Sequence, residues 1–160
     1  FLREQADYII DTSNLLVRDL RVELEKIFVQ SKGYKNLFIS VLSFGFKHGI
    51  PTDCDLVFDV RFLPNPYYEP ELKHKTGLYR EVQEFVLNAD VTQVFLEKLI
   101  DMVRFLIPNY IAEGKNQLVI GIGCTGGHHR SVTVAGELYA ALDVEDAQYG
   151  IKISHRDINR

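Results

Sequence analysis

With 160 residues, 46% of them apolar and 25% charged, the chain has the make-up of one folded domain, or of one domain with a fragment of another. Eighteen Lys and Arg against 22 Asp and Glu give a net charge of −4, which excludes a strongly basic nucleic-acid binder. Cys54 and Cys124 lie far apart with no C-x-x-C spacing, and no apolar run reaches the roughly 18 residues of a membrane span. The expectation is a reduced, intracellular setting.

Phe1-Leu2-Arg3-Glu4 is unlike a secretion signal and lacks Met, so the chain is expected to be cut from something longer. Tyr8 to Ile10 form a short strand-like run, and Asp11-Thr12-Ser13 supplies helix N-cap chemistry. Leu15, Leu16, Leu20, Leu24, Ile27 and Phe28 recur at helical spacing, up to an expected cap at Gly33. A strand feeding one helix is not a domain. Residues 1–33 therefore read as the tail and linker helix of a preceding domain, and residues 34–160 as a ligand-binding domain.

From Asn36 strands and helices alternate. Leu37–Leu42 and Leu56–Val60 read as strands, and Pro64, Pro66 and Pro70 keep the next loop extended and deny it a helix. A short helix is expected over 81–87. A longer one runs from Thr92, with Phe95, Leu99, Met102, Val103 and Leu106 on one face, and Pro108 kinks or ends it. Leu118–Ile120 is a third strand, Ser131–Leu142 a helix and Tyr149–Ile153 a last strand. The order predicts an α/β fold: a mostly parallel open sheet with helices on both faces and a glycine-rich strand–turn–helix that binds an anion.

That turn spans residues 121–131, Gly-Ile-Gly-Cys-Thr-Gly-Gly-His-His-Arg-Ser. It fits the dinucleotide pattern G-x-G-x-x-G at Gly121, Gly123 and Gly126, but no acidic residue follows at the required distance. As a nucleotide P-loop it fails, because Gly127-His128 stands where Lys-Ser/Thr is needed. The anion loop C-x5-R-[ST], met by Cys124, Arg130 and Ser131, gives work to all three polar residues. Backbone N–H groups of Thr125, Gly126, Gly127, His128 and His129 could ring a phosphate, with Arg130 gripping two oxygens. A helix N-terminus and Arg130 would also favour a Cys124 thiolate, and Asp59 would then be the general acid.

In an open parallel sheet, ligands sit beyond the carboxyl ends of the strands. Three loops are expected there: Lys47 and His48 from the first, Asp59, Arg61 and Tyr67 from the second, and the glycine-rich turn from the third. Asp59 and Arg61 have a plainer reading as a mutual ion pair, and Tyr67 as loop packing. His74 and His155 read as structural or exposed, and no ligand spacing suggests a metal.

The stretches 43–51, 59–66 and 121–127 resemble the C-terminal domain of the RapZ/YvcJ family, bacterial nucleotide-binding proteins that include RNase adapters. The likeness covers about residues 36–155. Residues 6–13 resemble the end of that family's N-terminal P-loop ATPase/GTPase domain, so ATP or GTP is implied for that domain and no cofactor for this chain. The resemblance implies a cytoplasmic sensor of a phosphorylated or nucleotide-linked amino sugar, glucosamine-6-phosphate or UDP-N-acetylglucosamine, that assembles as a homo-oligomer. It places the pocket at His48, Asp59, Arg61, Thr125, Gly126, His129 and Arg130. Tyr67 stands where some members have histidine, and His128 replaces what is often lysine. RNA-binding members carry a basic tail, whereas this chain ends in two arginines and an aspartate after His155. Two alternatives stand beside the sensor: a cysteine phosphatase-like hydrolase using Cys124 and Arg130, and an RNA-binding adapter module.

Overall fold

The computed structural model describes Ile10, Thr12, Ser13 and residues 16–28 and 37–160. Two compact units divide the chain, Phe1–Tyr34 and Lys35–Arg160. Helix α1, Val17–Phe28, belongs to the first. Tyr8, Ile9 and Gly33, expected in a strand and a cap, lie outside the described residues.

The second unit contains β1 (Leu37–Gly45), β2 (Leu56–Asp59), α2 (Arg80–Leu87), α3 (Asp90–Glu113), β3 (Gln117–Cys124), α4 (Arg130–Leu142) and β4 (Tyr149–His155). All strand pairs are parallel, in the order β2-β3-β1-β4. The sequence reading of an open parallel α/β sheet with helices holds. Register sets Gly45 opposite Cys124, Asp59 opposite Gly123 and Ser43 opposite His155, so the carboxyl ends of all four strands share one edge.

The two faces of the sheet are covered differently. Steps β2→β3 and β3→β4 cross the sheet in one direction, and right-handed crossovers put their helices on one side. There Leu37, Ile39, Val41, Leu118, Ile120 and Ile122 are buried against Val86, Leu99, Val103, Val134 and Leu138. Each such side chain contributes roughly 1.5–3 kcal/mol. The step β1→β2 runs the opposite way, and its connection covers the other face: Cys54 and Phe46 come against Gly121 and Gly123. Phe38 and Val57 on that face remain over two-fifths exposed.

Three expectations need correction. Gly121 and Gly123 are strand residues rather than turn residues. A Cβ on Gly121 would lie 2.8 Å from Cys54 Sγ, and one on Gly123 would lie 2.6 Å from the rings of both Phe44 and Phe46. These glycines clear room for aromatic rings, and the turn begins only at Thr125. Pro108 does not end α3, which continues to Glu113 and closes on Gly114 at φ 88°. Pro108 is exposed, so the carbonyl it deprives faces water, and Asn109 Nδ2 donates to Phe105 O at 2.7 Å. Finally, Pro66 opens a one-turn 3-10 helix, Pro66–Tyr68, with Asn65 Oδ1 accepting from the Tyr67 amide. Proline suits a first helical position because its fixed φ is already helical.

Candidate anion-binding site

Between β3 and α4 the chain turns through residues 125–129. Gly127 takes φ +83°, a conformation open to glycine, and its missing Cβ lets Gly45 N and Asp157 come close. Gly45 is equally constrained, since a Cβ there would lie 2.5 Å from the Gly126 carbonyl group. Lys47 N donates to Thr125 O at 3.2 Å. The loop is thereby pressed onto the end of β1 by backbone contact alone.

His129 occupies the N-cap position of α4 without a side-chain cap bond. Gly127 N donates to Cys124 Sγ at 3.2 Å, and Sγ lies 3.1 Å from Ser131 Oγ. The amides of Gly126, His128 and His129 have no acceptor among the described residues. Unpaired N–H groups and a helix dipole at such an end favour negative charge.

Arg130 is 5% exposed. Its Nη1 donates to the carbonyls of Arg61 and Leu63, and Nη2 lies 3.3 Å from Thr125 Oγ1. Nε is buried without a partner, as is Nε2 of His129, itself 8% exposed. Burial holds the His129 imidazolium form below its usual range, the carbonyls of Lys73 and Lys75 oppose that, and the charges of His128 and Arg130 add to it.

These residues line a cavity of about 630 Å³. Its wall carries Lys47, Lys73, Lys75 and Arg130, with His74, His128 and His129, and no Asp or Glu among the described residues. A chain of net charge −4 thus gathers cations around one opening. Tyr67, Tyr68 and Asn65 form another part of the wall.

Of the residues singled out in the sequence, Lys47, Tyr67, Cys124, Thr125, Gly126, His128, His129 and Arg130 line this cavity. Gly127 and Ser131 stand behind it, supporting the Cys124 sulfur. Asp59 and Arg61 sit outside its lining and grip each other: Arg61 Nε donates to both carboxylate oxygens at 3.0 and 2.9 Å, and Nη2 donates at 2.6 Å. The hydrogen bonds from Arg61 hold the Asp59 carboxyl below the usual carboxylate range. Arg61 also lies 4.3 Å over the Phe46 ring. His48 lies outside the lining and lends positive charge to Asp157.

Two contributors were not foreseen. Residues 73–76 reach the cavity from the long loop after β2, because Gly77 N donates to His128 O at 2.8 Å. The C-terminal segment also reaches it: Ile158 lines the cavity and its carbonyl accepts from His128 Nδ1 at 3.2 Å. Beneath, the fully buried Asp157 accepts from Gly45 N at 2.8 Å and from Arg156 Nη2 at 2.8 Å. Burial alone would raise its pKa, but these bonds and the charges of Arg156 and His48 outweigh burial and lower it. An acidic residue two positions after a strand's end carried no sequence signal for this role.

Fold and site together define an open parallel α/β domain with a cationic cavity at the carboxyl edge of its sheet. The chain belongs to the RapZ C-terminal domain family, whose model matches residues 37–159. It is 64% identical over 160 residues to a "Nucleotide-binding protein" of Lachnoclostridium phytofermentans, covering 100% of this chain and 55% of that relative. Similar proteins of the same description occur in Agathobacter rectalis, 62% identical over 160 residues (100% of this chain, 55% of the relative), and in Ruminiclostridium cellulolyticum, 57% identical over 159 residues (99% and 54%). The chain spans about half the length of these relatives.

Proposed function

We propose that the domain is a sensor that binds a phosphorylated or nucleotide-linked amino sugar, of the glucosamine-6-phosphate or UDP-N-acetylglucosamine kind, and performs no chemistry on it. The observation that carries this reading is the cavity wall: buried Arg130 with an unpartnered Nε, free loop amides and an uncapped helix start, with no carboxylate in the lining among the described residues. Each charge-assisted hydrogen bond there contributes on the order of 1.5–3 kcal/mol, and several together support micromolar binding after the cost of association. In this reading the phosphate sits on the loop, and the exposed Asp59–Arg61 pair and His48 meet the sugar. The choice of amino sugar comes from the family resemblance. ATP or GTP binding by a further domain, a cytoplasmic location and assembly with further copies belong to the same proposal.

Calorimetric titration with both compounds tests it. Arg130-dependent binding is expected, and failure of both to bind below about millimolar would count decisively against it.

The hydrolase reading has one observation in its favour, the Cys124–Ser131 contact at the cavity wall. The acid expected for its leaving group, Asp59, is held by Arg61 outside the cavity lining. Turnover of an aryl phosphate, abolished in Cys124→Ser, would revive it.

A further inference from the structure

Beside Arg130 the cavity wall holds a second buried group that can carry positive charge, the His129 imidazole, 8% exposed. What buries it is the long loop after β2. Gly77 N donates to His128 O at 2.8 Å, Gly77 O accepts from Gln83 Nε2 at 2.9 Å, and a Cβ at Gly77 would lie 2.4 Å from His129 O. Only glycine lets the loop close this tightly on the start of α4, and the closure brings the carbonyls of Lys73 and Lys75 to the ring. On the helix side, His129 O accepts from Thr133 N at 3.0 Å and from Thr133 Oγ1 at 3.2 Å, which fixes the residue as N-cap. Its Nε2 is buried with no hydrogen-bond partner.

The charged groups that share the lining with this ring are of one sign. Arg130 follows it on α4, and His128 precedes it, with ring centroids 6.2 Å apart. Lys73, His74 and Lys75 come from the long loop, and Lys47 from the loop after β1. Tyr67, Tyr68 and Cys124 are the other titratable side chains of the lining. Carboxylates of the adjoining segments are committed: Glu81 to Lys75, Asp59 to Arg61 and Asp157 to Arg156. Left to the protein's own groups, an imidazolium here is disfavoured by burial, by like charge and by the helix dipole. An anion on the loop reverses the balance, since opposite charge within a few ångströms raises the pKa of a base by about 1–3.

We infer that His129 takes up a proton together with the anion, so that the loop binds a dianion and the imidazolium stands beside Arg130 in the occupied site. This rests on the anion-loop reading above and adds the regulation of that site by pH. The proton passes from solvent to a ring nitrogen, and no bond of the ligand changes. Affinity then climbs as pH falls from the imidazole pKa of the bound form to the lower one of the free form, by at most about tenfold per pH unit, and is flat outside that window. Because burial and like charge hold the free form below the ordinary 6.5, the climb continues past that value.

Calorimetric titration of the full 160-residue chain with sulfate tests this, because sulfate stays a dianion over the range whereas phosphate takes up a proton of its own. Repeated in buffers of different ionisation enthalpy, the titration counts protons. Net uptake is expected, with sulfate affinity rising at least about tenfold as pH falls from about 8 to about 5.5. His129→Gln should abolish the uptake and flatten the profile. Should that variant not fold, proton NMR of the wild-type ring with and without sulfate serves instead: its pKa is expected to rise on binding, and an unmoved value overturns the inference. Sulfate binding that depends on Arg130 but takes up no proton, or takes one up equally in His129→Gln, overturns the proton site alone. Failure of both sulfate and phosphate to bind at any pH overturns the anion loop, and the proton site with it.

Discussion

Arg61 follows the end of β2, Arg130 opens the helix that follows neighbouring β3 and donates to the Arg61 carbonyl, yet the two guanidiniums live in opposite circumstances. Arg61 is half exposed, paired with Asp59 through three side-chain bonds and laid over Phe46. Its charge is cancelled on the spot. Arg130 is buried, and the groups that hold it are two carbonyls and a hydroxyl. Dipoles orient a guanidinium without cancelling its charge, and Asp59, whose carboxyl feels the Arg130 charge, is already gripped by Arg61. The difference separates an arginine that finishes a surface from one that leaves a demand for an anion.

The most direct way to break this contrast is to remove Arg130. Arg130→Ala should weaken phosphate binding on the order of 100-fold, the loss of one or two charge-assisted bonds. It should also lower stability by about 2–3 kcal/mol, because the carbonyls of Arg61 and Leu63 lose a buried donor. Calorimetry and urea denaturation read the two effects separately. Unchanged phosphate affinity in a folded variant would reduce Arg130 to a structural clamp.

Asp157 is expected to matter next, through stability. Its carboxylate joins the end of β1 to the C-terminal segment directly behind the loop. Asp157→Asn should cost about 2 kcal/mol at neutral pH. The carboxyl titrates lower in the fold than its ordinary value of 3.8, so its contribution is complete above that value and is lost as pH falls through the lowered one. Wild type and variant should therefore converge in denaturation midpoint as pH falls below 3.8. A gap independent of pH would mean that packing, not charge, carries the effect.

These two sites show what the sequence could and could not reveal. Strands β1 and β3 were legible because buried parallel strands are continuous apolar runs, and Cys124 to Ser131 because strand, glycines and a polar helix start fall together. Gly121 and Gly123 misled: a Gly-x-Gly pair reads as a turn, and only the rings packed over it, from Phe44 and Phe46, give the actual reason. Lys73 and Asp157 were invisible for a related cause. Their places follow from single long-range bonds, Gly77 to His128 and Gly45 to Asp157, and no local pattern encodes such a bond.

The smallest effect sharpens the same contrast from the other side. If the Asp59–Arg61 pair is finished surface as far as the phosphate is concerned, neutralising it should leave the phosphate's own affinity within about twofold, since exposed pairs exert weak, screened influence. A ligand carrying an ammonium and hydroxyls is different. Asp59 lies outside the cavity lining but keeps 44% of its side chain exposed, so a ligand that reaches beyond the lining can bring an amine to it. Asp59→Asn is therefore expected to lower glucosamine-6-phosphate affinity about three- to tenfold while barely moving inorganic phosphate, one charge-assisted bond lost at an exposed site. Equal losses for both ligands would show that the rim pair acts through the loop, and that the division between the two arginines is less sharp than their bonding suggests.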